Sequence, residues 1–182
     1  SRGTLPPPRP TAVEGLSVFP GGEGLADAGR RLSGNPKALR RAVEGLRGFD
    51  LLVIDTPPAA GPLSIAGLAC GGELVVPVGA SFLDFASIPA FLEEAAAVVR
   101  DLAPDLRLRA LVPTRTTRTN MSRETIETLR TRYNETTRAE IRLAVAVIEA
   151  AAAGLPVLSY APSSPVAEDF RELARELARE KR

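Results

Sequence analysis

Phe49-Asp50-Leu51-Leu52-Val53-Ile54-Asp55-Thr56-Pro57-Pro58-Ala59-Ala60-Gly61 is the stretch on which the reading of the fold turns. Leu51 to Ile54 is a continuous apolar run that delivers a carboxylate, Asp55, and Pro57, Pro58 and Gly61 then stop and turn the chain. A short apolar run closed by such breakers reads as a strand covered on both faces. Ligands of open α/β sheets bind just beyond the carboxyl ends of the strands, which puts Asp55 where chemistry is done.

Outward from that stretch, strands and helices alternate. Toward the N-terminus, Leu16–Phe19 reads as a short strand, Gly24–Leu32 as a helix, and Asn35-Pro36 as the start of a helix to about Leu46. Leu39, Val43 and Leu46 would form the buried stripe of that helix. Toward the C-terminus, a helix over Leu63–Ala69, a strand over Glu73–Val78 and a long helix between Phe85 and Leu102 are expected. A strand over Leu106–Pro113, a helix capped by Ser122 to Arg132, a weak strand over Ile141–Ala144 and a helix over Ile148–Ala153 follow. Val157–Tyr160 reads as a last strand, and Ser164-Pro165 opens a final helix. Val/Leu/Ile-rich strands alternating with helices predict an α/β fold with a mostly parallel sheet flanked by helices. Residues 1–13, with Pro6, Pro7, Pro8 and Pro10, read as a proline-rich linker, and 14–182 as the folded domain.

Composition bounds function more by exclusion. The 182 residues carry 23 Lys and Arg against 22 Asp and Glu, so no global field argues for nucleic acid or membrane. The distribution is uneven: Leu51 to Val99 has five acids and no base, whereas Arg100 to Arg142 holds ten arginines against six acids. Cys70 is the sole cysteine, which excludes an internal disulfide and fits a reducing compartment. The absence of histidine excludes the His-dependent triads and argues against a metal cluster. No apolar run is long enough to span a bilayer and no signal peptide is visible, so a cytoplasmic protein is expected. The chain opens with Ser1 rather than Met, which raises the expectation that residues upstream have been removed.

A strand-end aspartate is also the position at which phosphate-handling proteins hold Mg²⁺. The partner element is not in these residues: no Gly-Lys-Ser/Thr occurs, and the lysines Lys37 and Lys181 lie in no glycine loop. Gly21-Gly22-Glu23-Gly24 lacks a following lysine, and Glu23 would repel phosphate, so it reads as a turn. Asp55 read from its residues alone is equally a strand-end turn residue.

Five segments in one order resemble the ParA/MinD family of partition ATPases, the deviant Walker A branch of the P-loop NTPases. They are Glu14–Gly21, Phe49–Gly61, Leu63–Val78, Arg118-Thr119-Asn120-Met121-Ser122, and the tail Ile141, Glu149-Ala150, Gly154, Pro156-Val157, Tyr160 and Pro162. The resemblance covers about Glu14 to Leu177, roughly the last two-thirds of the family's domain, and implies a P-loop NTPase-like sheet here lacking its P-loop strand.

The resemblance implies roles residue by residue. Asp55 would bind the Mg²⁺ shell or orient the attacking water, and Pro57, Pro58 and Gly61 would sense the γ-phosphate. Pro113, Thr114, Arg115 and Pro162 fall where the family embraces adenine. Arg118, Arg123 and Arg142 are the DNA candidates, within a wider set that adds Arg115, Arg130, Arg132 and Arg138. The family's second DNA-contacting arginine falls on Ala146, a departure from the pattern. The intact family domain would use ATP and Mg²⁺, form a homodimer, hold nonspecific DNA near the nucleoid, and respond to a ParB-like centromere-binding protein. The charged terminal helix argues against a membrane role. The alternative is a catalytically silent truncated paralogue that acts as a DNA-binding or interaction module. In the family the P-loop strand lies between the strands equivalent to Leu51–Asp55 and Leu74–Val78. Within this chain alone those two strands are expected to pair directly, Val53 against Val75–Val76.

Overall fold

The computed structural model describes residues 5–21, 25–57 and 61–179. The chain forms two compact units, one of residues 1–72 with 94–107 and one of residues 73–93 with 108–182.

In the first unit, β1 (Arg9–Pro10) pairs antiparallel with β2 (Ser17–Val18), Arg9 opposite Val18. The end of the proline-rich lead is thus a strand, because Pro10 sits in a two-residue edge where a missing N–H is tolerated. Helices α1 (Leu25–Ser33), α2 (Ala38–Glu44) and α3 (Pro62–Leu68) follow. Asn35 does not cap α2 from its side chain. Its carbonyl accepts from Ala38 N–H at 3.0 Å, its amide oxygen takes Arg41 at 3.0 Å, and the helix starts at Ala38. The expected stripe of Leu39, Val43 and Leu46 is only half-buried.

The second unit is built on a three-stranded sheet in the order β3-β4-β5, from β3 (Glu73–Gly79), β4 (Arg107–Thr116) and β5 (Ile141–Arg142). Arg107 N–H bonds the Gly72 carbonyl at 2.9 Å, and Ala80 N–H bonds the Thr114 carbonyl at 3.0 Å. Both strands advance together between those bonds, so β3 and β4 are parallel, as are β4 and β5. The helices are α4 (Phe82–Asp101), of which residues 82–93 belong to this unit, α5 (Asn120–Arg132), α6 (Val145–Ala152), α7 (Val157–Tyr160) and α8 (Pro165–Leu177).

β4 explains why both faces are covered. Ala110 and Val112 face one side and join Ile141, Ala150, Val157 and Val166 in a core under α6, α7 and α8. Leu111 faces the other side and packs with Val78, Ile88 and Leu129 under α4 and α5. Alternate residues of one strand thus feed two cores, the period-2 pattern of a sheet sandwiched by helices.

Three further expectations are corrected. Leu51–Pro57 forms no strand among the described residues, and its expected partners Val75–Val76 belong to the other unit. A strand needs a neighbour to take its N–H and C=O groups, and apolar content alone supplies none; Leu51 and Val53 stand 78% and 79% exposed. Val157–Tyr160 is helical, because Pro156 closes a turn in which Ser159 and Tyr160 N–H both bond its carbonyl at 2.9 Å. α5 is capped by Thr119 rather than Ser122, the Thr119 hydroxyl accepting from Ser122 N–H at 3.3 Å.

Candidate functional site

The expected site residues fall into two groups, one in each unit. In the first, Asp55 lies on the segment that leads into α3, exposed, with no hydrogen bond or ion pair among the described residues. Helix α3 holds that segment in place. A Cβ at Gly67 would come within 2.5 Å of the Thr56 methyl, so glycine lets Thr56 lie directly on the helix. Ser64 Oγ adds a donor to the Pro57 carbonyl at 3.0 Å. Thr56 and Ile54 therefore turn toward α3 while Asp55, between them, is left to solvent. Gly61 is the extended N-cap residue of α3, followed by Pro62 at the first helical position. Pro58 lies outside the described residues, as do Gly22 to Gly24.

In the second unit the carboxyl ends of β3 and β4 carry a compact polar group. Ser81 caps α4: its hydroxyl accepts from Asp84 N–H at 3.2 Å and donates to Asp84 Oδ2 at 2.6 Å. Asp84 Oδ2 also takes Arg115 Nη2 at 3.0 Å, across the sheet end. Arg115 has φ 53°, the one non-glycine positive φ among the described residues, where β4 slips register against β5 between Thr114 and Thr116. That left-handed kink costs about 1–2 kcal/mol for a residue with a Cβ, and the bulge and the ion pair hold it. A Cβ on Gly79 would overlap both the Asp84 carboxylate and the Arg115 guanidinium, so the pair lies over bare glycine backbone.

Of the remaining expected contacts in this unit, Thr114 is half-buried beside Arg115, and Pro113 is among the most buried side chains of the core. Pro113 therefore serves packing and presents no surface to a ligand. Pro162 is exposed, and its carbonyl accepts Arg171 Nη2 at 2.8 Å.

The arginines divide by partner. Arg118 sits at the tip of a turn ordered by Thr117, Thr119 and Ser122: Thr117 N–H bonds Ser122 Oγ at 3.1 Å, and the two threonine hydroxyls are 2.9 Å apart. It is exposed and makes no ion pair or hydrogen bond among the described residues. Arg123, one turn into α5, is exposed and touches Asn120. Arg130 is engaged by Glu140 at 2.9 Å and the Arg138 carbonyl at 2.9 Å. Arg142 is committed to Asp169 of α8: Nε and Nη2 reach its two oxygens at 2.6 Å each, and Arg142 N–H adds a bond at 3.1 Å. Asp169 is 6% exposed. Burial pushes its carboxyl up, but the Arg142 side chain, backbone N–H and charge outweigh that and hold it below the ordinary value.

Ser81, Asp84 and Gly79 were not legible as site residues from their types. A signal was present, since Ser81-x-x-Asp84 before an apolar run has capping-box spacing. Asp169 gave none.

These residues stand in a chain with known relatives. It is 32% identical to the chromosome-partitioning ATPase Soj of Thermus thermophilus, over 91% of this chain and 67% of that protein. The chain belongs to the ParA/MinD family of partition ATPases. Among solved structures, cobyrinic acid a,c-diamide synthase of Mycobacterium smegmatis, crystallised with ADP and magnesium, is similar at TM-score 0.72 and 28% identity, covering 88% of this chain and 61% of that one. McdA(D38A) of Cyanothece in its ATP complex shares the fold at TM-score 0.79 and 19% identity, over 96% of this chain and 71% of that one. This ParA/MinD chain thus spans two-thirds of the length of Soj and about three-fifths of the synthase. No protein-family model matches it. The family's α/β fold, a parallel sheet flanked by helices, is the one described above. Among the described residues no helix is long and apolar enough to cross a membrane.

Proposed function

We propose that this chain is part of a ParA-like chromosome-partitioning ATPase, cytoplasmic and associated with the nucleoid. The protein would bind ATP·Mg²⁺, dimerise, hold DNA without sequence preference and respond to a ParB-like partner. The observation that carries the reading is the 32% identity to Soj along 91% of the chain, a stretch long enough to include Asp55, Pro57, Gly61 and Arg118.

Among the described residues no three acidic, histidine or cysteine groups come together to hold a metal. Asp55 is one exposed carboxylate, which fits Mg²⁺ of the kind that keeps its waters and is carried on nucleotide phosphates. Bound there, Mg²⁺ would neutralise charge developing on the phosphates. Asp55 would hold a coordinated water, and the α3 packing of Thr56 would fix the direction in which its carboxylate is presented. Thr114 and Arg115 would meet the base.

Hydrolysis tests the catalytic half. The 182-residue chain supplies no lysine-bearing phosphate loop, an interaction that normally contributes several kcal/mol at the transition state. The chain alone is expected to hydrolyse ATP no faster than buffer. Turnover in a pure sample that Asp55→Ala abolishes would contradict this.

DNA binding tests the other half. Arg118, in the turn before α5, and Arg123, in its first turn, are exposed cations open to phosphate, as are Arg132 and Arg138, and Arg142 joins them only by leaving Asp169. Binding is expected to be weak, indifferent to sequence and steeply salt-dependent, with a log–log slope of about −0.9 per phosphate neutralised. Arg118→Ala is expected to lower affinity and flatten the slope by about one contact. Affinity unchanged between about 50 and 200 mM salt would show that these arginines are only a solvated surface.

A further inference from the structure

We propose that Leu143, Val145 and Ile148, with Arg118 beside them, form a docking surface for an amphipathic helix of another protein whose polar edge is acidic. The three apolar side chains are open to solvent, at 60%, 68% and 67% exposure. Leu143 N–H bonds the Thr116 carbonyl at 3.0 Å, which ties it to the turn that carries Arg118. Val145 and Ile148 stand one turn apart on α6, so they share a face. The opposite face of α6 supplies Ala146, Val147 and Ala150 to the core beneath it. Packing therefore does not require Val145 and Ile148 to be apolar, and polar residues would serve the fold equally well there. From Leu143 to Ala161 the one charged residue is Glu149. Single exposed apolar residues are ordinary, but a contiguous strip of this kind marks an interaction surface.

The charge around the strip selects the occupant. From Arg115 to Arg123 the chain holds three arginines and no acid, and Arg118 is exposed with no ion pair or hydrogen bond among the described residues. An apolar strip with an arginine edge complements a helix that offers apolar residues at i, i+3, i+4 and i+7 and carboxylates along one flank. Ala146 stands where the family resemblance puts a second DNA-contacting arginine, so the strip itself offers DNA no cation. A bilayer fits it less well. The far side of α6 is committed to the core, which leaves three aliphatic side chains to insert and no aromatic anchor, and Glu149 would face anionic headgroups. A second copy brings the same arginine edge with Glu149 as its single acid, and three side chains fall short of the roughly 800 Å² per partner that a stable dimer buries. Because Arg118 belongs to both surfaces, the helix and DNA would exclude one another.

The test is fluorescence anisotropy of the 182-residue chain with a labelled helical peptide of about 18 residues, five turns. The probe carries leucines at i, i+3, i+4 and i+7 and glutamates on its flanks, and its control carries lysines in place of the glutamates. The glutamate peptide is expected to bind and the lysine peptide not to. Ile148→Ser should weaken the glutamate peptide about tenfold, the scale of one aliphatic side chain. Arg118→Ala should weaken it about threefold, the scale of one exposed ion pair. Both positions are exposed, so the variants are expected to fold, which circular dichroism checks. The peptide should displace duplex DNA from the wild type, and Ile148→Ser should leave DNA affinity unchanged. Equal binding of the two peptides, no binding of either, or indifference of the glutamate peptide to Ile148→Ser would overturn the proposal. Cosedimentation with phosphatidylglycerol vesicles that Ile148→Ser abolishes, without peptide binding, would give the strip to a membrane instead. A dimer in sedimentation velocity that the same variant dissolves would give it to a second copy. DNA binding without peptide binding sinks this inference and leaves the DNA reading standing, and peptide binding without DNA binding does the reverse.

Discussion

Leu111→Ala is expected to lower the unfolding free energy by about 2–5 kcal/mol, the largest effect of any single apolar truncation in the second unit. Leu111 is completely buried, on the face of β4 that meets Val78, Ile88 and Leu129. Its backbone is equally committed: Leu111 N–H bonds the Glu135 carbonyl and its own carbonyl takes Thr137 N–H, both at 3.0 Å. With neighbours held in this way the site has little freedom to collapse around the lost atoms, which places the cost toward the upper part of the range. Urea denaturation of wild type and variant measures it. Leu143→Ala is the control, because Leu143 is 60% exposed and a change there should stay within about 0.5 kcal/mol. Equal effects at the two positions would show that β4 does not run through the core.

Arg142→Ala is expected to cost about 3 kcal/mol, the low end of the range for stranding one partner of a buried ion pair. The asymmetry of the pair makes the prediction specific. Removing Arg142 leaves the Asp169 carboxylate, only 8% exposed as a side chain, with one backbone N–H for company. Removing the carboxylate leaves a guanidinium that is 48% exposed and can turn to water, so Asp169→Asn should cost less, about 1–2 kcal/mol. The pH dependence has a defined sign. The folded carboxyl lies below its ordinary value, so the pair's contribution is complete above the unfolded carboxyl value near 3.9 and is lost as pH falls through the lower folded value. Urea midpoints at neutral pH and in the acid range, with Asp169→Asn as reference, check this. A larger loss in Asp169→Asn than in Arg142→Ala would reverse the assignment of which partner is stranded. The same variant bears on DNA. An arginine that ties β5 to α8 should lose stability on truncation, while one that meets phosphate should lose salt slope.

Much of the second unit is legible in residue order alone. β3, β4, α4, α6 and α8 lie close to where the apolar runs and the Ser164-Pro165 start put them, because helix caps and strand periodicity act over a few neighbouring residues. The Arg118 turn is legible as a motif, though its hydroxyl network is not. The Ser81–Asp84 cap can be read from its spacing but not its pairing with Arg115, since 31 residues separate Asp84 from its partner.

The amino-acid sequence by itself determined the family, the alternation of parallel strands with helices, and the identity of Asp55 and Arg118 as the exposed charged groups to test. All of these are written in local order and residue type. Tertiary structure alone decided four things. It left Leu51–Pro57 without a ladder, because a strand is made by its neighbour and not by its own apolar residues. It wound Val157–Tyr160 into a helical turn, because the Pro156 carbonyl was there to take two N–H groups and no strand was there to take them. It bent β4 at Arg115, where a register slip against β5 and a carboxylate from another element hold a backbone conformation the residue does not favour. And it gave Arg142 to Asp169 instead of to solvent, because β5 and α8 meet in the folded core and a buried carboxylate must be satisfied by whichever cation the fold brings to it.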